Sequence, residues 1–407
     1  MKDTGKHIHV IAFDVPYPAD YGGVIDIFYK IIALHSIGFK VHLHCFQYGR
    51  PEAKELKKYC FSVNYYKRKT FRNPITGELP YIIASRSSNT LIENLLKDHY
   101  PILFEGLHST FHLPDPRLQG RFKVVRTHNV EHDYYSHLEK VERNYFKKYF
   151  FSKEAAKLKK YQHLLKHADL IAAISKRDAR YFSRKFEKVI HLPPFHGNAE
   201  VLSKEGRGDY ILYHGNLGVP ENNEAALFLV NNIFSKLEIS CVVAGNNPSQ
   251  ELVHAIAAFK HIRLVRRTDV NSLNNLIQEA QINVLHTFQA TGIKLKLINA
   301  LYMGRHCVAN KEMIKDTGVE SLCMQADTSE AYQDAIRKLW KIPFDKPMII
   351  ERARVLEQLF GDKVHALKLD EHVPALVSET DFPLKAGAKA ALESSTALKA
   401  FLNLFSL

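Results

Sequence analysis

Two glycine-bearing loops in this sequence could bind an anionic ligand, because each comes directly before a predicted helix. The first loop is Tyr21-Gly22-Gly23, followed by a helical pattern from Val24 to Ile37. The second is Ala290-Thr291-Gly292, followed by a helical pattern from Ile293 to Met303. A helix N-terminus has unpaired N–H groups and a partial positive charge, and glycine lets a ligand approach the backbone, so both loops suit a phosphate. Neither loop is a GxGxxG or Walker A sequence, which disfavours a nicotinamide cofactor and a P-loop nucleotide site.

The alternative for each loop is structural. Gly22 and Gly23 could form a tight turn without a ligand. The second loop has an additional signal, because Lys294 and Lys296 lie in the first turn of its helix. Cations there oppose the helix dipole, and a bound diphosphate would offset that unfavourable placement. We therefore predict that both lysines contact a diphosphate; two solvated lysines on an exposed helix face are the alternative.

Two histidines follow predicted strands, where ligands of a parallel sheet are expected. His108 comes after the strand Ile102–Phe104, and His128 comes after the strand Lys123–Val125. A neutral imidazole in this position can orient a sugar hydroxyl or transfer a proton. We predict that both histidines lie in the active site.

Other histidines alternate along predicted strands, at His7 and His9 and again at His42 and His44. Zinc binding would need cysteine or carboxylate partners at ligand spacing, and the sequence has none there. We expect satisfied histidines on a polar sheet face, and we predict no metal site.

The elements that position these residues alternate between strand and helix. The strand His7–Phe13, the helix Val24–Ile37 and the strand Lys40–Phe46 form a βαβ unit, which implies a parallel sheet. The breaker-rich segment Pro193–Asn198 interrupts the pattern, which then begins again at Tyr210. The predicted fold class is α/β, with two Rossmann-like doubly wound domains. We expect domains over residues 1–193 and 194–373, and an alanine-rich tail over 374–407 that is not part of the fold.

Composition excludes several classes of protein. The chain has 407 residues, of which 46% are apolar and 24% are charged, so it is neither a disordered chain nor a collagen-like fibre. No run approaches the roughly 18 apolar residues of a membrane span, and we expect no signal peptide. Five scattered cysteines predict reduced thiols in the cytoplasm rather than a disulfide scaffold.

The net charge of +13 is concentrated in one segment. Residues 139–188 contain fifteen Lys or Arg and six Asp or Glu. A basic face implies an anionic partner: nucleic acid, a lipid headgroup surface or a phosphorylated substrate. Aromatic residues alternate with the lysines, which suits an anionic bilayer surface; the alternative is a solvated helix whose aromatics face the core. The lysines of the expected anion-binding surface are Lys147, Lys148, Lys157, Lys159 and Lys160.

The order and spacing of these segments resemble those of the GT-B glycosyltransferases, in particular the retaining enzymes of family 4. The resemblance extends from about His7 to about Leu369. The segments that carry it are Pro16-Tyr17-Pro18 with Gly22-Gly23, Arg126-Thr127-His128-Asn129, Ala172-Ala173-Ile174-Ser175, Pro193-Pro194, Tyr213-His214-Gly215-Asn216-Leu217, Ala244-Gly245-Asn246-Asn247-Pro248, and Thr291-Gly292 through Ala300-Leu301 with Gly304.

This resemblance implies two domains that face each other across a cleft, with a nucleotide-sugar donor mainly on the second domain and the acceptor on the first. It implies no bound metal, and a C-terminal helix, Ile349–Phe360, that crosses back to the first domain. His108 corresponds best to the histidine near the reacting sugar, with Lys294 and His128 as the other expected catalytic residues. The residues expected at the donor are Gly22, Gly23, Gly215, Asn216, Thr291, Gly292, Lys296 and Asn299.

Two departures from the family pattern bear on activity. The family usually has two glutamates at the positions of Thr291 and Asn299, and a basic pair near Asn216 and Glu221-Asn222. A diphosphate leaving group needs positive charge, which we expect from Lys294 and Lys296 with the helix N-terminus at Gly292. The departures also favour, as an alternative, a catalytically inactive protein that binds a sugar nucleotide or a glycan.

The predicted function is transfer of a hexose, mannose or glucose, from a nucleotide-diphosphate sugar to a glycan or lipid-linked acceptor. The enzyme would need no cofactor besides this co-substrate. It would be cytoplasmic and peripheral on the inner face of the membrane, without a nucleic-acid partner. A sugar-nucleotide epimerase on the same fold is a further alternative, but it would require acid and base carboxylates that the sequence does not identify. Nucleic-acid binding by the basic segment ranks third.

Overall fold

The computed structural model describes residues 5–70, 77–142, 144–266, 269–288 and 295–374, and two parallel β-sheets organise these residues. The strands of the first sheet are β1 (Lys6–Ala12), β2 (Phe39–Gln47), β3 (Ser62–Lys67), β4 (Ile102–Glu105), β5 (Lys123–Thr127), β6 (Leu170–Ala173) and β7 (Val189–His191). Their order is β3-β2-β1-β4-β5-β6-β7, and each pair is parallel. The order reverses direction beside β1, the place where ligands bind in such sheets.

The second sheet has six parallel strands in the order β10-β9-β8-β11-β12-β13. These strands are β8 (Ile211–His214), β9 (Cys241–Ala244), β10 (Ile262–Val265), β11 (Ile282–Leu285), β12 (His306–Ala309) and β13 (Met324–Gln325). Two parallel-sheet α/β domains, as expected from the alternating pattern, are therefore confirmed.

Helices cover both faces of each sheet. Alternate residues of β1 enter different cores: Val10 packs with Ile27 and Ile31, whereas Ile11 packs with Leu91 and other residues on the opposite face. The α-helices are α1 (Gly22–Ser36), α2 (Tyr81–Ala84), α3 (Asn89–Leu95), α4 (Glu131–Val141), α5 (Tyr145–Tyr161), α6 (Lys176–Ser183), α7 (Pro220–Asn232), α8 (Gln250–Ala257), α9 (Val270–Glu279), α10 (Leu295–Met303), α11 (Lys311–Ile314), α12 (Ser329–Trp340), α13 (Lys346–Phe360) and α14 (Asp362–Asp370).

Local sequence signals explain where several helices begin and end. Gly38 adopts a φ of +93° just after α1, a conformation that favours glycine at a helix C-terminus. Ser175 precedes α6, and its side chain accepts a hydrogen bond from the N–H of Asp178. The basic segment contains two separate helices, α4 and α5, before α6. Asn144 accepts hydrogen bonds from two following N–H groups and so starts α5 as a separate helix.

The four strand histidines form pairs rather than an open polar face. His7 Nδ1 lies 2.8 Å from His42 Nε2, and His9 Nδ1 lies 2.8 Å from His44 Nε2. Three of the four side chains are buried; His42 is half-buried. The prediction of satisfied histidines is confirmed, and the rings of Phe61 and Tyr100 also pack against His7 and His42.

The helix that returns to the first domain is α14, not Ile349–Phe360 as predicted. Leu356 and Phe360 of α13 pack in the core of the second domain. Ala366 and Leu369 of α14 pack with α1 in the core of the first. The chain changes direction at Gly361, which lies between the two helices.

The linker between the sheets is attached to both α14 and the first domain. The N–H groups of His196 and Gly197 donate to the Asp362 carboxylate, at 3.1 and 2.8 Å. Arg126 donates to the carbonyls of Leu192 and Pro193. No helix in the described ranges has the length and apolar character needed to span a bilayer. The expected tail lies almost wholly outside the described residues, which end at 374.

Candidate functional site

The first-domain wall of the candidate site lies at the carboxyl ends of β1, β4 and β5, around the ring of Phe13. This ring lies 5.1 Å from the His108 ring and 5.5 Å from the His128 ring, between centroids. Gly106, between β4 and His108, has a φ of +67°, and a Cβ there would lie 3.0 Å from His108 Nδ1. The structure therefore brings the two predicted histidines together, and a glycine between them makes room for this arrangement.

The His108 imidazole is neutral at neutral pH. Burial lowers its pKa well below the usual value, and the nearby Arg86 and His128 lower it further. Its Nδ1 is buried without a hydrogen-bond partner among the described residues. Arg86 is itself buried and donates to the carbonyl of Phe13 at 2.8 Å. A neutral imidazole can accept or donate one hydrogen bond to a substrate hydroxyl.

A buried ion network supports His128 from behind. Asp26, Lys30, Glu105 and Arg126 are each at most 1% exposed. Lys30 Nζ lies 2.9 Å from Asp26 Oδ2 and 2.8 Å from Glu105 Oε1. Arg126 donates to both Asp26 oxygens, and His128 Nε2 lies 3.2 Å from Glu105 Oε2. His128 thus rests on a carboxylate that the core holds in place.

Atoms of Asp26, Glu105 and His128 lie within 4.8 Å of one another, a spacing that could hold a metal ion. The cationic groups of Lys30 and Arg126 already lie beside these carboxylates. Burial tends to raise the pKa of Glu105, but the Lys30 ammonium and the His128 hydrogen bond outweigh it and leave that pKa below the usual value. The pKa of Asp26 is also below its usual value: burial raises this pKa, but the charges of Arg126 and Lys30 lower it by more. Two cations therefore neutralise two carboxylates, and the charges of this cluster are balanced by the chain's own side chains.

The neighbouring glycines at the start of α1 have different surroundings. A Cβ on Gly23 would lie 2.6 Å from Cζ of Phe13, so its backbone packs against the ring that contacts both histidines. A Cβ on Gly22 would lie 3.7 Å from Cδ1 of Leu295, the first residue of α10. Gly22 therefore faces the second domain at the start of α10.

The second-domain wall consists of the loops after β8 and β9. A Cβ on Gly245 would lie 2.0 Å from the carbonyl oxygen of Gly215, so these loops touch through their backbones. Asn216 holds the first loop in shape: its Oδ1 accepts from the N–H of Gly218 at 3.1 Å, and its carbonyl accepts from Asn222 Nδ2 at 3.0 Å. The Asn216 side chain is exposed at the end of β8.

Lys296 carries positive charge at this wall. Its Nζ donates to Asn222 Oδ1 at 2.9 Å and lies 5.5 Å from the centroid of the Tyr213 ring. Burial lowers the pKa of His214 to about 3 and that of His286 to about 4, and the Lys296 ammonium adds to both shifts. Thr291, Gly292 and Lys294 lie outside the described residues, so their predicted roles stay predictions.

Asn299 has a different partner from the one expected. Its Oδ1 accepts from Nδ2 of Asn198 in the linker at 3.0 Å. This contact joins α10 to the linker. The predicted contact of Asn299 with the donor is not tested by it and stays a prediction.

Tyr134, near the start of α4, is close enough to the second domain for a carboxylate there to influence its pKa. Burial, followed by the charges of Glu131 and Glu221, raises the pKa of Tyr134 to about 12. Glu221 belongs to α7 of the second domain, and it accepts a hydrogen bond from Thr287 Oγ1. The cleft is therefore bordered by α1 and α4 on one side and by α7 and α10 on the other.

The predicted basic surface is an exposed helix end. Tyr145 and Phe146 are each 87% exposed at the start of α5, and Tyr149 is 51% exposed. Lys147 and Lys148 beside them are exposed, as are Lys159 and Lys160 at the other end of the helix. Lys157 is not part of this surface: its side chain is only 15% exposed and lies 3.8 Å from the buried Glu154 carboxylate, which attracts it to the core.

Several residues of the site were not predicted from the sequence. The ion network of Asp26, Lys30, Glu105 and Arg126 was not predicted, although Arg126 belongs to one of the segments that carry the resemblance. A partial signal was available, because Glu105 is a charged residue at the end of an otherwise apolar strand and Arg126 is a charged residue in a fully buried one. Charge in such a position indicates either a partner in the core or a ligand.

Comparison with known proteins finds a family model that matches part of the second domain and solved structures that share the fold. Residues 208–341 match the family model described as Glycosyl transferases group 1. A Klebsiella pneumoniae protein, described as an uncharacterized 44.6 kDa protein in the cps region, is 27% identical over 313 residues, which are 72% of this chain and 80% of that protein.

Three solved structures, each over 91% of this chain, share the two-domain architecture. Anabaena Alr3699/HepE in complex with UDP-glucose has a TM-score of 0.61 at 12% identity and is covered over its whole length. A glycosyltransferase from Rickettsia africae has a TM-score of 0.57 at 13% identity, with 98% of its chain covered. The E. coli trehalose-6-phosphate protein bound with UDP-2-fluoro glucose has a TM-score of 0.58 at 10% identity, with 99% covered.

Proposed function

We propose a specific reaction for this chain, because it has the GT-B fold and its residues 208–341 match the group 1 glycosyl transferases. The enzyme transfers a hexose, mannose or glucose, from a nucleotide-diphosphate sugar to a glycan or lipid-linked acceptor. The cps-region name of the Klebsiella relative supports polysaccharide biosynthesis as the setting. Membership of family 4 and retention of anomeric configuration stay predictions from the sequence resemblance.

The main support for this proposal is that the first-domain and second-domain sides of the cleft face each other. Gly22 at the N-terminus of α1 faces Leu295 at the start of α10. On the first-domain side, the His108 and His128 imidazoles contact the Phe13 ring, which packs against the neighbouring Gly23, and Lys296 lies on the second-domain side. A diphosphate between the walls would meet backbone N–H groups and an ammonium, while its sugar would face the imidazoles.

In this scheme each group has a separate task. Lys296 stabilises the negative charge that develops on the diphosphate as the glycosidic bond to it breaks. His108, which is neutral and fixed by Phe13 and Gly106, hydrogen-bonds a hydroxyl of the transferred sugar. His128, held by the Glu105 carboxylate, orients the acceptor or takes its proton. Catalysis then depends on positioning and leaving-group stabilisation.

The test is a thermal-shift screen of the full chain against UDP-, GDP- and ADP-linked glucose and mannose. A ligand that binds only the folded state raises its stability by RT ln(1 + [L]/Kd). We expect one nucleotide class to raise the unfolding temperature, with an apparent Kd about tenfold weaker in Lys296→Ala. The matched control is Lys338→Ala, which removes an exposed lysine from α12 of the same domain and should bind the donor normally.

Turnover decides between an enzyme and a binding protein. If His108→Ala binds the nucleotide sugar normally but loses hydrolysis or transfer, the assignment of His108 is supported. Donor binding without turnover in the parent, with acceptor extracts present, would favour the inactive protein. If no nucleotide sugar shifts the unfolding temperature, the proposed function is wrong.

We also propose that the N-terminal end of α5 binds an anionic membrane surface. Tyr145 and Phe146 are exposed beside Lys147 and Lys148, and an interfacial helix combines these two kinds of residue. Such a contact would place the cleft near a lipid-linked acceptor and would make the enzyme a peripheral membrane protein of the cytoplasm.

Vesicle co-sedimentation tests the membrane contact. The parent should pellet with vesicles that contain phosphatidylglycerol and should stay in solution with phosphatidylcholine alone. The double variant Tyr145→Ser and Phe146→Ser should stay in solution with both. Ile350→Ser, which removes another exposed apolar side chain (60% exposed) from α13 of the second domain, is the control. Equal binding by the parent and the double variant would contradict the proposal.

A further inference from the structure

A cavity separate from the histidine site lies on the first domain between α4 and α6. Its volume is about 310 Å³, near the small end of the roughly 300–1,000 Å³ range of ligand pockets. Arg177, Arg180 and Arg184 line it at positions i, i+3 and i+7, which lie on one side of a helix. Asp133 and Asp178 supply carboxylates to the same cavity.

One of these carboxylates has an unsatisfied oxygen. Asp178 is 3% exposed, and its Oδ2 has no hydrogen-bond partner among the described residues. Burial raises its pKa to about 6, against the opposing effects of Ser175 and Arg177. A buried oxygen without a partner is unfavourable, and a ligand hydroxyl in the cavity would satisfy it once the carboxyl group turns towards the cavity, because Oδ2 itself has almost no accessible surface.

The arginines differ in whether the protein already uses them. Arg180 pairs with Asp316 of the second domain at 2.7 Å. Arg177 and Arg184 are exposed, and their guanidinium groups take no part in the hydrogen bonds or ion pairs within the described ranges. Two positive groups beside the cavity are therefore available to an anion.

The cavity borders the proposed active-site cleft. Val130, one of its lining residues, is two positions from His128, and Asp133 lies in the first turn of α4. The ion pair between Arg180 and Asp316 crosses from the first domain to the second at its edge. The cavity is thus on the acceptor side of the cleft, beyond His128.

We propose that this cavity binds an anionic sugar unit of the acceptor, with Arg177 and Arg184 contacting its carboxylate or phosphate and Asp178 accepting a hydrogen bond from one of its hydroxyls. Guanidinium groups bind carboxylates and phosphates through paired hydrogen bonds. The carboxylate and the cavity size select for a hydroxyl-bearing ligand of about one sugar unit rather than for a bare anion. This inference rests on the proposed function and narrows its acceptor to an acidic glycan.

The test is saturation-transfer NMR of the full chain with three probes: methyl glucuronide, glucose 6-phosphate and methyl glucoside. We expect the anionic probes to bind at least about tenfold more tightly than methyl glucoside. Whichever of the two anions binds more tightly shows whether the acceptor unit is a uronic acid or a sugar phosphate. The double variant Arg177→Gln and Arg184→Gln should weaken binding of that anion about tenfold or more.

The control is Lys176→Gln, because Lys176 is exposed on the same helix but does not line the cavity. It should leave anion binding within about twofold of the parent. If it weakens binding as much as the double variant, the effect is bulk charge and the inference is wrong. The inference is also wrong if the double variant binds normally, if methyl glucoside binds as well as the anions, or if no probe binds.

Folding and donor binding are measured in parallel. Both arginines are exposed, so the double variant should unfold at the parent's temperature; if it does not, single Arg184→Gln replaces it in the titration. The thermal shift with the nucleotide sugar should be the same in the parent and the double variant. Normal donor binding without anion binding overturns only the acidic acceptor. Loss of donor binding in the parent overturns the proposed function itself.

Discussion

The adjacent glycines Gly22 and Gly23 belong to one predicted loop in the sequence but have different surroundings in the structure. Gly23 packs against Phe13, where a Cβ would come within 2.6 Å of the ring, whereas Gly22 has ordinary contact distance to Leu295. Because the Phe13 ring contacts both His108 and His128, a shift of this ring would change the geometry of both imidazoles.

Substituting these glycines should therefore have unequal effects. Gly23→Ala should lower the free energy of unfolding by about 1–3 kcal/mol through overpacking. Gly22→Ala should change it by less than about 1 kcal/mol, since alanine fits there and reduces the entropy of the unfolded chain. Urea denaturation of the two variants measures the difference. Equal values would show that the Phe13 ring moves freely.

The buried ion network makes a second prediction at this scale. Arg126→Met should lower the free energy of unfolding by about 3–5 kcal/mol, because it leaves Asp26 buried with one cation fewer. Arg337→Met, which breaks an exposed pair with Asp334, should cost less than about 1 kcal/mol. Denaturant unfolding at neutral pH compares them. A small effect of Arg126→Met would mean that water enters the network.

Among the elements, α14 has the greatest effect on how the two halves are joined. It follows the second domain in sequence but packs on α1 of the first through Ala366 and Leu369. Its N-terminal Asp362 accepts hydrogen bonds from the linker. The helix is thus part of the first domain's core.

Truncation of side chains on α14 tests this role. Leu369→Ala should lower the free energy of unfolding by about 2–5 kcal/mol, the range for a buried leucine. Leu367→Ala, on the same helix but 45% exposed, should stay within about 0.5 kcal/mol of the parent. A tryptic digest of Leu369→Ala should also release α14 first. Equal stability of the two variants would place α14 outside the core.

The histidines of the paired strands β1 and β2 predict that the stability of the protein depends on pH. Burial lowers the pKa values of His9, His42 and His44, that of His42 to about 4. The unfolded chain binds protons below about pH 6.5 that the folded imidazoles exclude. These histidines therefore decrease stability as pH falls from about 6.5 towards 4, and contribute no slope above that range.

Removing one imidazole should decrease this acid sensitivity. In His42→Gln, the slope of the free energy of unfolding against pH should be smaller by roughly 1 kcal/mol per pH unit between about pH 6 and 4.5. Urea titrations at a series of pH values give the slope. An unchanged slope would mean that His42 is protonated in the folded protein.

At the scale of the whole molecule, the charge of +13 is concentrated where the function would use it. The exposed lysines of α5 and the arginines of α6 lie on the first domain, on the proposed membrane and acceptor side. Because exposed charges are screened within about 8 Å at physiological ionic strength, salt should separate their contribution from that of the aromatic side chains.

Raising the salt concentration should therefore release the protein from anionic vesicles. We expect binding to fall steeply between about 0.05 and 0.5 M NaCl, as the attraction of lysines to lipid headgroups is screened. Co-sedimentation at a series of salt concentrations measures this. Binding that does not change with salt would assign the contact to Tyr145 and Phe146 alone.

The amino-acid sequence by itself determined the two α/β domains, most strand positions and the pairing of His108 with His128. These depend on short-range patterns: apolar runs, helical periodicity, and the rule that parallel strands end at one edge. It did not predict the ion network behind His128, since Asp26 and Arg126 are a hundred residues apart and their contact has no local signature.

Only the tertiary structure decided which helix returns to the first domain, which of two glycines faces the cleft, and which lysine of α5 is paired. Each of these depends on packing between segments distant in sequence. Leu369 is buried because α1 covers it, and Lys157 is attracted to Glu154 because that carboxylate is buried. The cavity beside Arg177 and Asp178 arises in the same way, from the space between α4 and α6.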